Sequence, residues 1–447
     1  MKSRWSSRFS FIMATTGAAV GLGNIWKFPY MAGENGGGAF VLLYLIFIIL
    51  IGIPTLMGEI LIGRLGQENA VNTLRKLALK VKHSPAWGLL GWWGSAGLIL
   101  VLSFYSVIGG FSIGYLVVAW TGGLQKFTSA QEVQLFWENF LADPFNLLSW
   151  HTLFMLFTLG VVACGVKNGL ERASKILMPA LFLVLIILMI YSIKVGDVHR
   201  AVQFLLVPHP AALTASTVIY ALGHAFFTLA LGAGAMLVYG SYLPKDTRIG
   251  SNICIIAALD VFVALIAGIA IFSIVFAYDL PLASGPGLMF KILPIAFAEM
   301  PAGEWFGGLF FLLLWFAAWT SSISMAEPLV VLLEERTSLK RGMASLVVGS
   351  VCWGLGILAL LSFNLFQNIR LLGKFTIFEA MADLTTNIIL PLGGLFFAIF
   401  AGWVLKPKDA KAGLLMNSAL AFNIWRFLVR YVAPLGISIS FIWNFWL

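Results

Sequence analysis

Residues 16–30 read TGAAVGLGNIWKFPY and residues 221–237 read ALGHAFFTLALGAGAML, and these two stretches decide the fold. Each lies in an apolar run long enough to cross a bilayer. Each also carries three glycines, which predict an interrupted helix. Interrupted helices at corresponding positions of two halves point to a transporter built from inverted repeats, with its ligand near the middle of the membrane. For either stretch alone, glycine used only for close helix packing remains an alternative.

The composition of the whole chain also favours a membrane protein. Its 447 residues are 60% hydrophobic and 11% charged, with a mean hydropathy of +0.95, which lies outside the range of soluble domains. Long uncharged runs cross the hydrocarbon core as helices of about 20 residues. The sequence therefore predicts an all-α membrane protein. We expect about eleven helices, over residues 10–30, 40–63, 87–121, 150–165, 173–193, 217–239, 250–277, 305–333, 344–361, 375–404 and 422–446.

These helices are expected to form one transmembrane transporter domain over residues 1–447. A first inverted repeat is expected over 1–200, a second over 210–405, and an additional eleventh helix in 406–447. Placing the N-terminus in the cytoplasm puts most lysines and arginines on that side, and an odd number of helices then leaves the C-terminus outside. The net charge of +9 is therefore interpreted as a topology signal rather than as nucleic-acid binding. The first apolar run continues into the glycine motif, so we expect it to be retained as a span.

Other function classes find little support in the sequence. Cys164, Cys254 and Cys352 lie inside apolar runs without the spacing of a zinc site, so we expect buried thiols and no disulfide framework. The motifs of metalloproteases, nucleophile-elbow hydrolases and phosphate-binding loops are missing from the sequence, so no enzyme is predicted. A passive facilitator or an amino-acid sensor remains the alternative to a coupled transporter. Two sodium sites would separate these classes, because a facilitator does not need them.

Four motifs carry a family resemblance. They are GLGNIWKFPY at 21–30 with ENGGGAF at 34–40, GIPTLMGEILIGR at 52–64, FFTLALGAG at 226–234 and TSSISMAEP at 320–328. At these residues the chain resembles the neurotransmitter:sodium symporter family, in particular bacterial amino-acid transporters such as the leucine transporter. The resemblance covers nearly the whole chain. It implies a 5+5 inverted repeat with broken helices 1 and 6, two co-transported Na⁺ ions as cofactors, an amino-acid substrate, and a prokaryotic plasma (inner) membrane; the oligomeric state is left open.

The resemblance also implies the binding residues. Oxygen atoms near the ends of broken helices suit a carboxylate and a cation side by side. The first sodium site resembles the Ala19 carbonyl with Asn24, Thr228 and Asp260. The second resembles the Gly17, Val20 and Ala317 carbonyls with Thr320 and Ser321, whose hydroxyls could instead bond back to their own helix. The substrate pocket resembles Ala18, Ala19, Gly21, Gly23, Val101, Tyr105, Phe227, Thr228, Ala230, Ala233, Ser321 and Met325.

Gly21, Ala230 and Ala233 bear on the chemical class of the substrate. Monoamine carriers of this family place an aspartate at the position of Gly21, so here the carboxylate is expected to come from an amino acid. Ala230 and Ala233 are smaller than their counterparts in the leucine carrier, which implies a larger cavity and a hydrophobic or aromatic substrate. Tyr105 is expected to bind the carboxylate, and Phe227 to close over the ligand.

The gates and the charge balance follow the same resemblance. Lys27 occupies the outer-gate position, and its partner is ambiguous between Asp383 and Glu379 because Ala382 stands at the usual aspartate position. Asp260 is expected to replace chloride as the fixed negative charge near Tyr44, His224 and Ala264, with proton counter-transport. Glu59 is expected to bond to the backbone of a broken helix, and an inner-pathway role is open for Glu327. The inner gate resembles Lys2, Trp5, Tyr242 and Glu335.

Overall fold

The computed structural model describes residues 4–127, 129–244, 246–281, 288–371 and 373–446. The described residues form helices and no β-strand, apart from two isolated bridges. The α-helices are α1 Arg8–Ala19, α2 Phe28–Glu34, α3 Gly38–Phe47, α4 Ile53–Gly66, α5 Ala70–Lys80, α6 Gly88–Trp120, α7 Ala130–Ala142, α8 Pro144–Ala163, α9 Arg172–Val195, α10 Val198–Leu206, α11 Ala215–Thr228, α12 Ala235–Ser241, α13 Ile249–Ala277, α14 Leu293–Glu299, α15 Gly303–Arg336, α16 Arg341–Leu361, α17 Ile377–Asp383, α18 Leu390–Ile399, α19 Pro407–Leu414, α20 Ala419–Phe427 and α21 Ala433–Trp446.

Wider π-helical turns join many of these helices into continuous segments. They are Gly23–Lys27, Ile48–Gly52, Val166–Glu171, Leu288–Ile292, Leu384–Ile389, Phe400–Val404 and Leu428–Val432. Within the described residues, nine such segments are long and apolar enough to cross a membrane. They are Gly38–Gly66, Pro85–Trp120, Pro144–Ala163, Val166–Val195, Ile249–Ala277, Gly303–Arg336, Arg341–Leu361, Ile377–Val404 and Ala419–Trp443.

The two glycine-rich stretches are broken, as predicted. Arg8–Ala19 and Gly23–Glu34 form a tenth apolar segment, bent by 49° at the break. The remaining predicted span, 217–239, contains α11 and α12, which residues 229–234 separate. The prediction of an all-α membrane protein is therefore confirmed. The division into two inverted repeats, 1–200 and 210–405, stays a prediction.

The broken segments lie at the centre of the bundle. Every residue of α12, and every residue of α1 after its first two, is buried. The long helices α6 and α15 pack along each other, and α1 lies against α15, α13 and α9. Helices that are apolar on all sides bury in this way inside a larger protein. This arrangement surrounds both breaks with protein rather than lipid, which non-helical backbone at membrane depth requires.

Two expectations drawn from apolar character need correction. Cys164 and Cys254 are exposed on the protein surface, and only Cys352 is buried. In a membrane protein an apolar run can face lipid, so hydropathy alone does not indicate burial within the protein. The short helices α5, α7, α10, α14 and α19 lie outside the predicted spans. Long apolar runs do not predict them, because each of these helices is too short to cross the bilayer.

Candidate functional site

The first break exposes backbone groups in the middle of the bundle. Helix α1 ends at Ala19, and Val20 turns to an extended conformation with φ −69° and ψ 105°. The chain resumes helical structure at Gly23. Carbonyls and amides near such a break lack their usual helical partners, so they are available to bind ions and polar ligands.

The second break requires glycine. Gly232 has φ +89°, and a Cβ there would lie 2.0 Å from the Leu390 carbonyl oxygen. Only glycine therefore fits this left-handed, closely packed position. The buried Glu59 carboxylate accepts the Gly232 N–H at 2.7 Å, as the sequence analysis expected. Ala230 also has a positive φ, +52°, so the whole break departs from regular helix.

Three predicted cation ligands converge beside the two breaks. Asn24 Nδ2 donates to Asp260 Oδ1 at 2.8 Å and to Thr228 Oγ1 at 3.1 Å. Thr228 Oγ1 donates to Asp260 Oδ2 at 3.0 Å, and the Tyr44 hydroxyl donates to the same oxygen at 3.3 Å. All four side chains are buried. The cluster offers hard oxygen donors and one carboxylate to a cation. Ala19, the fourth predicted member through its carbonyl, is the buried last residue of α1.

A second oxygen cluster joins α15 to the first break. Ser321 Oγ reaches the Gly17 and Val20 carbonyl oxygens, at 3.3 Å each. Thr320 Oγ1 donates to the Ala317 carbonyl at 3.1 Å and lies on the same face, since a Cβ at Gly17 would be 3.2 Å from Thr320 Cβ. Thr320 therefore bonds back to its own helix, whereas Ser321 bonds across to α1. All five predicted members of the second site are brought together.

Two hydroxyls converge on Gly21 between these clusters. A Cβ at Gly21 would lie 2.5 Å from Ser321 Oγ and 2.9 Å from the Tyr105 hydroxyl oxygen. The Tyr105 hydroxyl accepts the Leu22 N–H at 3.2 Å. Any side chain at position 21 would therefore require both hydroxyls to shift. The geometry thus leaves hydroxyl and amide donors facing the space beside a small residue, a suitable environment for a carboxylate.

The remaining predicted pocket residues are buried or partly buried in the bundle. Val101 and Ala233 are each 6% exposed, Ala18 is buried, and Met325 and Ala230 are partly buried. Gly94 of α6 lets the helix approach the second break, because a Cβ there would lie 2.5 Å from the Ala233 carbonyl oxygen. Small side chains at the second break therefore let α6 approach it closely.

A cavity of about 750 Å³ opens above this region, with Tyr105, Gly23 and Phe227 among its lining residues. The Lys27 ammonium lies over the Phe227 ring, 4.0 Å from the ring centroid. It forms no salt bridge with any described residue. Both suggested partners line the cavity but bond elsewhere: Glu379 caps its own helix with Thr376, and Asp383 accepts from Asn387 at 2.6 Å. At the position predicted for the outer gate, Lys27 thus makes a cation–π contact in place of an ion pair.

The end of the bundle that carries the N-terminus is closed. Trp5 is 3% exposed, and its Nε1 donates to the Tyr239 carbonyl at 3.0 Å while its amide donates to the Tyr242 carbonyl at 3.1 Å. The Tyr242 hydroxyl donates to Glu327 at 2.6 Å. Trp5 and Tyr242 are therefore joined, as expected of an inner gate.

Arg341 joins the same cluster, which the sequence did not predict. Its guanidinium binds Glu327 and also donates to Glu334 at 3.1 Å. A carboxylate within a membrane-spanning segment requires a partner, so Glu327 is the sequence feature that could have predicted this contact. Glu335 accepts from the amide and side chain of Asn69, at 2.8 and 2.7 Å. Lys2 lies outside the described residues.

His224 is buried among aromatic rings beside the first cluster. The rings of Phe28, Phe40 and Tyr44 surround it at centroid distances of 5.3–5.8 Å. Neither ring nitrogen of His224 has a hydrogen-bond partner among the described residues. Ala264, at the position of the chloride-binding serine, is fully buried.

Comparisons with known proteins agree with this geometry. The sodium:neurotransmitter symporter family profile matches residues 2–134 and 139–445. The chain is 40% identical over 443 residues to YhdH, an uncharacterized sodium-dependent transporter of Bacillus subtilis, covering 98% of this chain and 97% of that protein. It is 24% identical over 438 residues to the sodium- and chloride-dependent GABA transporter 2 of Rattus norvegicus, covering 86% and 72%.

A solved structure is also similar. The crystal structure of MhsT in complex with L-phenylalanine matches with a TM-score of 0.91 and 41% identity over 99% of both chains. The family consists of sodium-coupled transporters, not of enzymes. The family profile spans nearly the whole sequence, and the fold has the broken helices and buried oxygen clusters described above. This chain therefore belongs to the sodium:neurotransmitter symporter family.

Proposed function

We propose that this transporter imports a large hydrophobic or aromatic L-amino acid together with two sodium ions, by alternating access across a prokaryotic plasma membrane. The observation that carries the proposal is the convergence of the Tyr105 and Ser321 hydroxyls on Gly21. Gly21 supplies no side-chain carboxylate at that position, so in this proposal the anionic partner of these donors comes from the substrate. The N-terminus faces the cytoplasm in this proposal, because that orientation follows the positive-inside pattern.

The small residues at the second break support the substrate class. Ala230 and Ala233 carry the smallest side chains that retain a Cβ, so in this proposal they leave room for a large apolar substrate side chain, and such pockets gain affinity from the apolar area they bury. The similar transporter MhsT was crystallised with L-phenylalanine. Aromatic amino acids are therefore the first substrates to test, followed by leucine.

The two buried oxygen clusters support a stoichiometry of two sodium ions. In the first, Asn24, Thr228, Asp260 and the Ala19 carbonyl would hold one ion beside the substrate carboxylate. In the second, Ser321, Thr320 and the carbonyls of Gly17 and Val20 would hold the other. Each cluster joins a broken helix to a continuous one, so a cation between them favours one relative arrangement of the bundle.

Asp260 supports independence from chloride. Its carboxylate lies fully buried beside Tyr44, where an added anion would meet like charge in a medium of low dielectric constant. When sodium leaves, the buried anion loses its counter-charge, and a proton is the simplest replacement. We include outward proton movement in the proposed cycle for this reason. His224 lies in the same pocket with both ring nitrogens unpaired and is a second proton acceptor candidate.

The test is uptake of radiolabelled amino acids into proteoliposomes, with and without an inward sodium gradient. We expect accumulation only with the gradient, unchanged uptake when gluconate replaces chloride, and alkalinisation of the vesicle lumen as protons leave. Equal uptake with and without the gradient would identify a facilitator. Substrate binding without any uptake would identify a sensor, and either result would overturn the proposal.

A further inference from the structure

The last two apolar segments meet at two π-helical turns, Phe400–Val404 and Leu428–Val432. Trp403 Nε1 donates to the Arg430 carbonyl at 2.9 Å. Gly402 permits the approach, because a Cβ there would lie 2.8 Å from Arg430 Cα. As a result the Arg430 guanidinium stacks on the Trp403 ring, 3.9 Å from the ring centroid. Single π-helical turns inside α-helices often mark functional sites.

A second guanidinium lies on the same helix face. Arg426 precedes Arg430 by four residues, so their side chains are neighbours. Arg426 Nη2 reaches the Leu405 carbonyl at 3.4 Å, but Arg426 Nη1 and Arg430 Nε are buried without a hydrogen-bond partner among the described residues. Neither arginine forms a salt bridge with a described residue. Two unpaired cations within an apolar segment are costly, so this face requires an anion.

The surroundings indicate where that anion comes from. Side chains tilt toward the N-terminal end of their helix, which points both guanidinium groups toward the 405–418 connection. That connection carries three exposed lysines, and its acid, Asp409, is held by Lys80 at 3.5 Å. Aromatic side chains border the two guanidinium groups and are open to the bilayer, since Trp403 and Tyr431 are 50% and 47% exposed. Apolar rims, unpaired N–H groups and adjacent lysines together match a lipid with an anionic headgroup.

We propose that Arg426 and Arg430, framed by Trp403, bind the phosphate of an anionic phospholipid in the leaflet at the Trp5 end of the bundle. Guanidinium groups match phosphate through paired N–H donors, which lysine cannot provide. The acyl chains of the lipid lie against the exposed rings of Trp403, Phe427 and Tyr431. Basic pockets between transmembrane helices bind anionic headgroups in this manner. A free phosphate ion shares the headgroup chemistry but gains nothing from the aromatic rims.

The test measures lipid binding to the purified full-length transporter in detergent. Native mass spectrometry and thermal unfolding are compared after addition of phosphatidylglycerol, phosphatidylcholine or inorganic phosphate. We expect phosphatidylglycerol to be retained in preference and to raise the unfolding temperature most. Arg426→Gln with Arg430→Gln should weaken phosphatidylglycerol binding roughly thirtyfold, since each arginine at a membrane surface contributes about fivefold.

Arg200→Gln is the matched control. Arg200 also stacks on an aromatic ring, Phe276, at 4.7 Å, but it is paired with Asp279 at 3.6 Å. Its replacement should leave phosphatidylglycerol binding unchanged. Should the double glutamine variant fail to fold, Arg426→Lys with Arg430→Lys keeps both charges without the paired donors and should still lose several-fold in affinity.

Three outcomes would overturn the proposal. In the first, the wild-type protein retains phosphatidylcholine as well as phosphatidylglycerol. In the second, folded variants at Arg426 and Arg430 bind phosphatidylglycerol as the wild type does. In the third, inorganic phosphate stabilises the protein as much as the lipid, which would identify a site for soluble anions.

Discussion

Replacing Asp260 by asparagine separates the proposed roles of its charge and its shape. The carboxylate is fully buried and accepts hydrogen bonds from Asn24 at 2.8 Å, Thr228 at 3.0 Å and Tyr44 at 3.3 Å. Asparagine has the same size and keeps one acceptor oxygen. It removes the negative charge, which in the proposed site neutralises a sodium ion and takes the place of chloride.

The expected loss follows from the burial of the pair. Removing one partner of a buried charge pair costs about 3–5 kcal/mol, which corresponds to about two to four orders of magnitude in sodium affinity at this site. The fold itself should survive, because a neutral side chain is easier to bury than a charged one. We therefore expect a folded variant whose uptake requires far more sodium than the wild type.

The assay is the sodium dependence of amino-acid uptake in proteoliposomes, measured in chloride and in gluconate. Combining Asp260→Asn with Ala264→Ser adds a hydroxyl at the chloride position, and uptake should then depend on chloride. Asp279→Asn is the matched control, because that aspartate is exposed and paired with Arg200; its uptake should equal that of the wild type. Wild-type sodium dependence of the Asp260→Asn variant in gluconate would refute both roles of Asp260.

Further variants test the remaining parts of the site. Ala233→Phe should fill the pocket and shift preference from tryptophan and phenylalanine toward valine and alanine in a competition panel; an unchanged ranking would place Ala233 outside the pocket. Tyr105→Phe should weaken substrate binding roughly ten- to a hundredfold, the range expected for one hydrogen bond to a charged group, in a scintillation proximity assay. Thr320→Ala with Ser321→Ala should abolish accumulation while the protein stays folded by thermal unfolding. Arg341→Gln should leave Glu327 unpaired at a cost of about 3–5 kcal/mol, so amide exchange in the N-terminal segment should become faster; unchanged exchange would remove Arg341 from the gate.

The positions of the membrane helices were predictable because the bilayer imposes one simple rule. Every segment that crosses hydrocarbon must be apolar over about 20 residues and satisfy its own backbone, and both properties can be found within one window of sequence. The segment predicted over 250–277, for example, is Ile249–Ala277 in the structure. The interruptions were predictable too, since Gly232 occupies a backbone conformation that other residues rarely adopt.

Side-chain pairing was less predictable, since it depends on which surfaces the fold brings together. Lys27 was expected to meet a carboxylate, yet its ammonium lies over the Phe227 ring. The positive-inside pattern treats arginines only as topology signals, yet Arg341 binds Glu327 in the neighbouring helix. The π-helical turns likewise have no sequence signal that a periodicity search detects. In the first two cases the deciding partner lies on another helix.

The second break offers a physical link between substrate entry and sodium binding. Phe227 lies on the wall of the cavity, beneath Lys27, and the next residue, Thr228, belongs to the first oxygen cluster. Thr228 is also the last residue of α11, and its hydroxyl already bonds to Asp260, so in the proposed cycle a cation held by both side chains would fix the end of this helix together with the Phe227 ring. In the proposed cycle, sodium binding and closure of the aromatic lid are therefore one motion transmitted through a single peptide unit. The end near Trp5 is already closed in this structure. In the proposed cycle, sodium binding therefore has to close the Phe227 lid before the end near Trp5 opens.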